Sequence, residues 1–259
     1  MTTLTETKPN TGSKKLLGKV ALVTGGSRGI GRGIALKLAE EGAIVALTYA
    51  RSADAAEKVK QEIEQLGTTA YVVKADAESE ADLKKLSADL KKQFGKLDIV
   101  VNNAGVFDLA PVSEITLEQY DRVFGVNVRG LVATTIAAVP LLNDGGRIIN
   151  ISSVVATRTF PGASVYSATK AAVNTFTRVW AQELGGRGIT VNAVSPGTTQ
   201  SEMFEAAIPA EAHGDIIGKT ALGRIGQPRD IANVVAFLAS EEGGWVTGQF
   251  IEADGGLNM

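Results

Sequence analysis

Short, continuous apolar runs recur along this chain, separated by longer stretches of helical character, and that alternation constrains the fold most. Val20–Val23 is the first run; Ala43–Leu47, Ala70–Val73, Ile99–Val101, Ile148–Ile151 and Ile189–Val194 repeat it, and Gln249–Glu252 adds a last one. Strands buried on both faces look like this: short, unbroken and rich in Val and Ile. Between the runs, Ser79 with Asp82 and Thr116 with Gln119 have the spacing of helix-opening capping boxes. Gly42, Gly67 and Gly95 stand just past helical stretches, where a left-handed residue ends a helix. The order strand, helix, strand, helix predicts an α/β fold, a single doubly wound parallel sheet of about seven strands with helices on both faces.

The first strand runs into Thr24-Gly25-Gly26-Ser27-Arg28-Gly29-Ile30-Gly31 and then into a helix. Glycines at 25, 29 and 31 let the backbone turn tightly and approach a diphosphate closely. The helix that follows offers free N–H groups and a partial positive charge, so this end of the sheet predicts a Rossmann-type dinucleotide site. Enzymes that use NAD place an acid at the end of the second strand, about 20 residues on, to bind the ribose 2′-hydroxyl. Here that strand ends Thr48-Tyr49-Ala50-Arg51-Ser52, with no acid. Arg51, and Arg28 inside the turn, present guanidinium groups suited to a 2′-phosphate. NADP(H) is therefore expected over NAD(H), the alternative being that Arg51 is a solvated residue opening a helix.

Tyr166 and Lys170 lie four residues apart on one helix face. An ordinary tyrosine, with a pKa of about 10, is a slow acid or base at neutral pH, and a nearby ammonium is expected to lower it. Ser153, thirteen residues upstream of Tyr166, is placed to polarise a substrate carbonyl. Ser152 is the adjacent alternative.

The whole set resembles the short-chain dehydrogenase/reductase family. The features that carry the resemblance are the Thr-led glycine turn, Asn102-Asn103-Ala104-Gly105 after the fourth strand, Asn127, Ser153, Tyr166-Ser167-Ala168-Thr169-Lys170, and Pro196-Gly197 after the sixth strand. The resemblance implies a catalytic set of Asn127, Ser153, Tyr166 and Lys170, with Asn127 holding a water that links Lys170 to solvent. It implies cofactor contacts from Gly25, Ser27, Arg28, Gly29, Ile30, Gly31, Tyr49, Arg51, Asp76, Ala77, Asn103, Ala104, Gly105, Tyr166, Lys170, Pro196, Gly197 and Ser201. Asp76 would meet the adenine and Ser201 the nicotinamide carboxamide. Candidate substrate-pocket residues are Ser153, Val154, Val155, Phe160, Phe107, Met203 and Phe204, mostly apolar, as suits a ketone.

In motif text the chain is most similar to bacterial 3-oxoacyl reductases and small-ketone carbonyl reductases. Reductases served by acyl carrier protein carry basic residues before the fifth strand, where this chain has Asn143-Asp144-Gly145-Gly146. Arg187 does match their second basic position. An NADPH-dependent carbonyl reductase is expected first, 3-oxoacyl-carrier reduction second, and a non-catalytic nicotinamide-binding regulator last.

Composition excludes other chemistries. No cysteine is present, which removes disulfides, thiolate nucleophiles and cysteine-ligated metals. His213 is the one histidine, so no histidine metal cluster is expected; a structural or surface role is expected for it. A net charge of −2 offers no global field for nucleic acid or an anionic membrane. A cytoplasmic location and a small-molecule substrate are expected. No apolar run approaches the roughly 20 residues of a membrane span. Residues 1–15 read as a disordered polar tail and 16–259 as the domain. Residues 198–220 read equally as a mobile lid or an ordinary connecting helix. Trp180 and Trp245 are read as packing residues. Ala168, Ala171 and Ala172 would let a second subunit pack closely, fitting a dimer or tetramer, though core packing explains them equally.

Overall fold

The computed structural model describes residues 14–257. The expected tail therefore falls almost wholly outside the described residues. Lys15 is tied down, pairing with Glu242 at 2.7 Å.

Among the described residues one parallel sheet holds β1 (Val20–Val23), β2 (Ile44–Tyr49), β3 (Ala70–Lys74), β4 (Leu97–Asn102), β5 (Leu142–Ile151), β6 (Thr190–Pro196) and β7 (Phe250–Ala253). Their spatial order is β3-β2-β1-β4-β5-β6-β7. The order reverses between β1 and β4, which opens a crevice at their carboxyl ends. Helices α1 (Gly29–Glu40), α2 (Ala53–Gln65), α3 (Glu80–Phe94), α4 (Leu117–Phe124), α5 (Leu131–Ala138) and α6 (Ser164–Leu184) are joined by α7 (Glu202–Ala207), α8 (His213–Gly218) and α9 (Pro228–Ala239). They cover both faces. One core packs α1, α2 and α9 on the sheet through Ile34, Leu38, Val59 and Ile231; the other packs α3 and α5 through Leu86, Leu90 and Ala138.

The doubly wound fold and its strands stand as expected, with two local differences. β5 begins at Leu142, so Asn143–Gly146 belong to the strand instead of a loop, where the β4–β5 register shifts between Leu97 and Ile99. Trp245 is fully exposed on the turn after α9 and packs nothing. Trp180 does pack, stacking on Phe176 with ring centroids 5.1 Å apart.

The helix starts show how capping works here. The Ser79 hydroxyl accepts the Asp82 N–H at 3.2 Å, but the Asp82 carboxylate accepts from Asp76 N–H at 3.0 Å, outside the helix. The expected box is thus half a box, and its other half fixes the loop after β3. Between α4 and α5, residues Gly125–Gly130 form a π-helical turn that carries Asn127. The helical stretch Leu117–Leu141 is 25 residues long and holds an 18-residue window of mean hydropathy 1.4, which passes a membrane span's length and composition. No continuous apolar run is needed for that, since such a window tolerates up to two charged residues. In this fold the stretch packs against α3, α6 and β4.

Candidate active site

The glycine turn is built by sequence-distant hydroxyls. Thr24, buried at the end of β1, accepts the N–H groups of Asn103 and Ala104 through its side-chain oxygen, both at 3.0 Å. Thr48, at the end of β2, accepts the Gly25 N–H at 3.2 Å. Asn103 donates its amide to the carbonyls of Thr24 at 2.9 Å and Gly25 at 3.1 Å. Gly25 and Gly29 take φ of 63° and 52°, which side chains resist. A Cβ on Gly31 would sit 2.3 Å from the Gly25 carbonyl oxygen and 2.4 Å from the Asn103 amide nitrogen. The N–H groups of Ser27, Arg28, Gly29 and Ile30 meet no acceptor among the described residues. An open row of donors at a helix N-terminus fits a diphosphate.

Around this cradle stand the other expected cofactor residues. Tyr49 closes β2, and its carbonyl accepts the Ala75 N–H at 2.9 Å, which brings the Asp76-Ala77 loop alongside. The Asp76 carboxylate accepts the Glu78 N–H at 3.0 Å. Ala77 touches the π-helical turn: a Cβ on Gly130 would lie 2.7 Å from its methyl. Pro196 ends β6, and Gly197 lies so close to Asp254 that a Cβ there would be 2.6 Å away. The Ser201 oxygen caps α7 by accepting the Phe204 N–H at 3.1 Å, which leaves its O–H proton to donate. Arg51 is exposed and has no ion-pair partner among the described residues. Arg28 reaches across to the start of α7 and pairs with Glu202 at 2.9 Å.

Ser153, Tyr166 and Lys170 come together at the carboxyl end of β5. The Ser153 side chain stands beside the Tyr166 phenol and accepts the Val155 N–H at 3.4 Å, whereas Ser152 turns inward and donates to the Lys170 carbonyl at 3.2 Å. Of the two serines, Ser153 is the one near the phenol. Lys170 is buried and donates to the Ile151 carbonyl at 2.9 Å, with its ammonium 5.6 Å from the Tyr166 ring centre. Gly105 borders the same space, 3.8 Å from the ammonium nitrogen when a Cβ is drawn on it. Burial pushes the Tyr166 phenol up to about 12, against a smaller lowering by Ser153. Burial pulls Lys170 down to about 8. The expected lowering of Tyr166 by Lys170 is thus not what the protein groups produce. Desolvation penalises the phenolate more than an ammonium at this distance, already bonded to a carbonyl, stabilises it.

Asn127 is buried and fully engaged. Its carboxamide accepts the Val106 N–H at 2.8 Å and donates to the Val106 carbonyl at 2.9 Å and to Thr169 at 3.2 Å. The side chain therefore pins the segment after β4, with both its oxygen and its nitrogen already holding protein partners.

The substrate-pocket candidates divide. Phe107 packs edge-on against the Tyr166 ring, centroids 4.7 Å apart, and faces the chemistry. Val155 is half-buried beside Ser153, while Val154 is buried. Phe204 is also buried, its ring against His213 at 4.8 Å, within the packing of α7 on the start of α8. Met203 is exposed. Phe160 lines a groove with Pro111, Val112, Ser167, Ala168 and Ala171 on another side of α6. Spacing could not separate these cases, because each depends on which way a short helix turns.

A family model described as enoyl-(acyl carrier protein) reductase matches residues 25–258. A solved short-chain dehydrogenase from Burkholderia cenocepacia, in complex with NADP, superposes with TM-score 0.89 at 42% identity, covering 95% of this chain and all of that one. The chain belongs to the short-chain dehydrogenase/reductase family. Relatives within that family include an oxidoreductase of Methylorubrum extorquens, 47% identical over 245 residues, or 94% of this chain and 99% of that protein. Versicolorin reductase 1 of Aspergillus parasiticus is 43% identical over 254 residues, covering 93% and 97%. As a short-chain dehydrogenase/reductase the chain is an NAD(P)-dependent oxidoreductase acting between alcohols and carbonyls, with a small-molecule substrate.

Thr24 and Thr48 were not among the expected site residues. The only sequence signal for Thr24 was its place before the first glycine. Thr48 gave none beyond ending an apolar run.

Proposed function

We propose that the chain is an NADPH-dependent carbonyl reductase in which Tyr166 gives a proton to the carbonyl oxygen. The observation that carries this is the half-buried Tyr166 phenol with Ser153 beside it and the Lys170 ammonium 5.6 Å from its ring centre, a phenol that desolvation keeps protonated at neutral pH. A phenol so held is an acid, as reduction requires. Bound NADPH supplies the hydride. Ser153 donates to the oxygen as negative charge develops on it. The Lys170 ammonium stabilises the transient phenolate and holds the ribose hydroxyls. With both its amide donors engaged, Asn127 would hold a water serving Lys170 through an acceptor oxygen, its backbone carbonyl in the π-helical turn being the candidate.

The open N–H groups of Ser27 to Ile30 would hold the diphosphate, and Arg28 with Arg51 the 2′-phosphate. The absence of an acid at the end of β2 and the NADP bound in the Burkholderia cenocepacia relative support this choice. Asp76 and Ala77 would border the adenine, and Ser201 the carboxamide. Phe107 beside Tyr166 supports an apolar or aromatic ketone. Carrier-bound substrates fit less well: Arg187 is spent on Asp144 at 2.9 Å and on the carbonyls of Val139 and Leu142. Ala168 and Ala171 are exposed, so core packing does not explain them, and with exposed Ile136 on α5 they support a dimer or tetramer.

The test is steady-state reduction of a ketone panel with each nicotinamide. NADPH should be favoured, and Tyr166→Phe should lower turnover about 10²–10⁴-fold with cofactor affinity kept. Equal use of NADH would overturn the cofactor assignment, and near-normal turnover by the Phe variant would overturn the acid. Carrier-bound 3-oxoacyl chains turned over far faster than free ketones would put the carrier reading first.

A further inference from the structure

Arg28 begins the glycine turn's helix, yet its guanidinium is not held by the turn. It reaches to the first residue of α7 and pairs with Glu202 at 2.9 Å, 174 residues away in sequence. The approach is structural rather than a chance meeting of long side chains. A Cβ drawn on Gly29 has one neighbour within 4 Å, the Ser201 Cβ at 3.4 Å, so the base of α7 rests on the turn itself. Ser201 caps α7 and so fixes where Glu202 starts. Both partners are open to water, with side-chain exposures of 64% and 66%. A pair this exposed is weak and exchanges partners readily.

We propose that Glu202 competes with the cofactor's 2′-phosphate for Arg28, and so sets how strongly the enzyme distinguishes NADPH from NADH. This rests on the reading that Arg28 binds that phosphate. A phosphate monoester carries nearly two charges and forms stronger guanidinium bonds than a carboxylate. Arg28 must nonetheless leave Glu202 to make them, and NADPH affinity is lowered by whatever that pair contributes. NADH has no 2′-phosphate and leaves the pair intact. Both cofactors carry the same diphosphate, so repulsion of that group by the Glu202 carboxylate shifts the two equally. Direct repulsion of the 2′-phosphate by Glu202 would also be selective, but it persists without Arg28, so comparing Glu202→Gln in the wild-type and Arg28→Gln backgrounds isolates the competition.

The experiment is equilibrium titration of NADPH and NADH by cofactor fluorescence, without turnover. It uses wild type, Glu202→Gln, Arg28→Gln and the double variant. Both side chains are exposed, and thermal unfolding confirms that each variant folds. Glu202→Gln should tighten NADPH by about two- to five-fold, the worth of an exposed pair, and leave NADH nearly unmoved. Arg28→Gln should weaken NADPH selectively, and adding Glu202→Gln to it should change nothing further. An Arg28→Gln variant with an unchanged NADPH-to-NADH ratio removes Arg28 from phosphate binding and sinks the underlying reading. Selective weakening by Arg28→Gln, with Glu202→Gln moving neither cofactor, moving both alike, or tightening NADPH as much in the Arg28→Gln background as in wild type, overturns the competition alone.

Discussion

Replacing Thr24 with valine keeps the side chain's shape and removes one hydroxyl. That oxygen accepts two backbone N–H groups, from Asn103 and Ala104, and donates to the Val101 carbonyl at 3.4 Å. A buried donor left without an acceptor costs about 1–3 kcal/mol. Two such donors give about 3 kcal/mol near the low end of the range, appropriate because Asn103 and Ala104 are only half-buried. For a chain of this length that lowers Tm by about 6–12 °C. Thr24→Ser keeps the hydroxyl and loses one methyl, about 0.8 kcal/mol or roughly 2–3 °C. Calorimetry on the two variants side by side measures the difference. Because Asn103 also anchors Gly25, the valine variant should weaken cofactor binding as well, read by fluorescence titration. If the valine and serine variants melt within about 2 °C of each other, the hydroxyl is not what joins the turn to β4.

Two further outcomes follow from the site. Lys170, lowered to about 8 by burial, is charged below that pH and neutral above it, so ketone reduction should fall as pH rises through about 8. The folded value lies below the unfolded one, so Lys170 itself makes the fold more stable, not less, as pH rises from about 8 towards 10.5; a rate loss there without a fall in Tm belongs to chemistry. A pH–rate profile flat from 7 to 10 would remove Lys170's charge from the mechanism. Gly31→Ala puts a methyl against the Gly25 carbonyl and the Asn103 amide, which should cost about 1–3 kcal/mol and weaken NADPH and NADH alike. Wild-type affinity for both in a titration would mean the cradle does not depend on that close approach.

Local pattern was enough to read much of this molecule. Val20–Val23 and its successors announce buried strands by composition alone, and the glycine turn announces its helix. The spacing of Ser153, Tyr166 and Lys170 placed three side chains in one site because a strand end and one helix face suffice to bring them together. What stayed illegible depends on partners far along the chain. The pairing of Arg28 with Glu202 could not be read, because the two are 174 residues apart. Thr24 and Thr48 act through backbone groups of neighbouring strands, a matter of register that no local spacing encodes. Tyr166 was expected to be made acidic by its neighbour; the direction reversed because desolvation is a property of the packed surroundings. Phe204 and Phe160 meet the same limit: their type was readable, their facing was not.

The segment just after Ser153 has a further consequence. Arg158 there bonds Asp254 at 2.7 Å, and also Glu252 and the carbonyl of Leu257. All three partners lie 94 to 99 residues downstream, in and beyond β7. A ribosome releases them long after the glycine turn and the Tyr166 helix have emerged. The wall that bears Ser153 is therefore fastened only when the stretch from Glu252 to Leu257 has been made, and α9, which packs on the helix of the glycine turn, also emerges late. The last strand acts as the clasp that closes the enzyme.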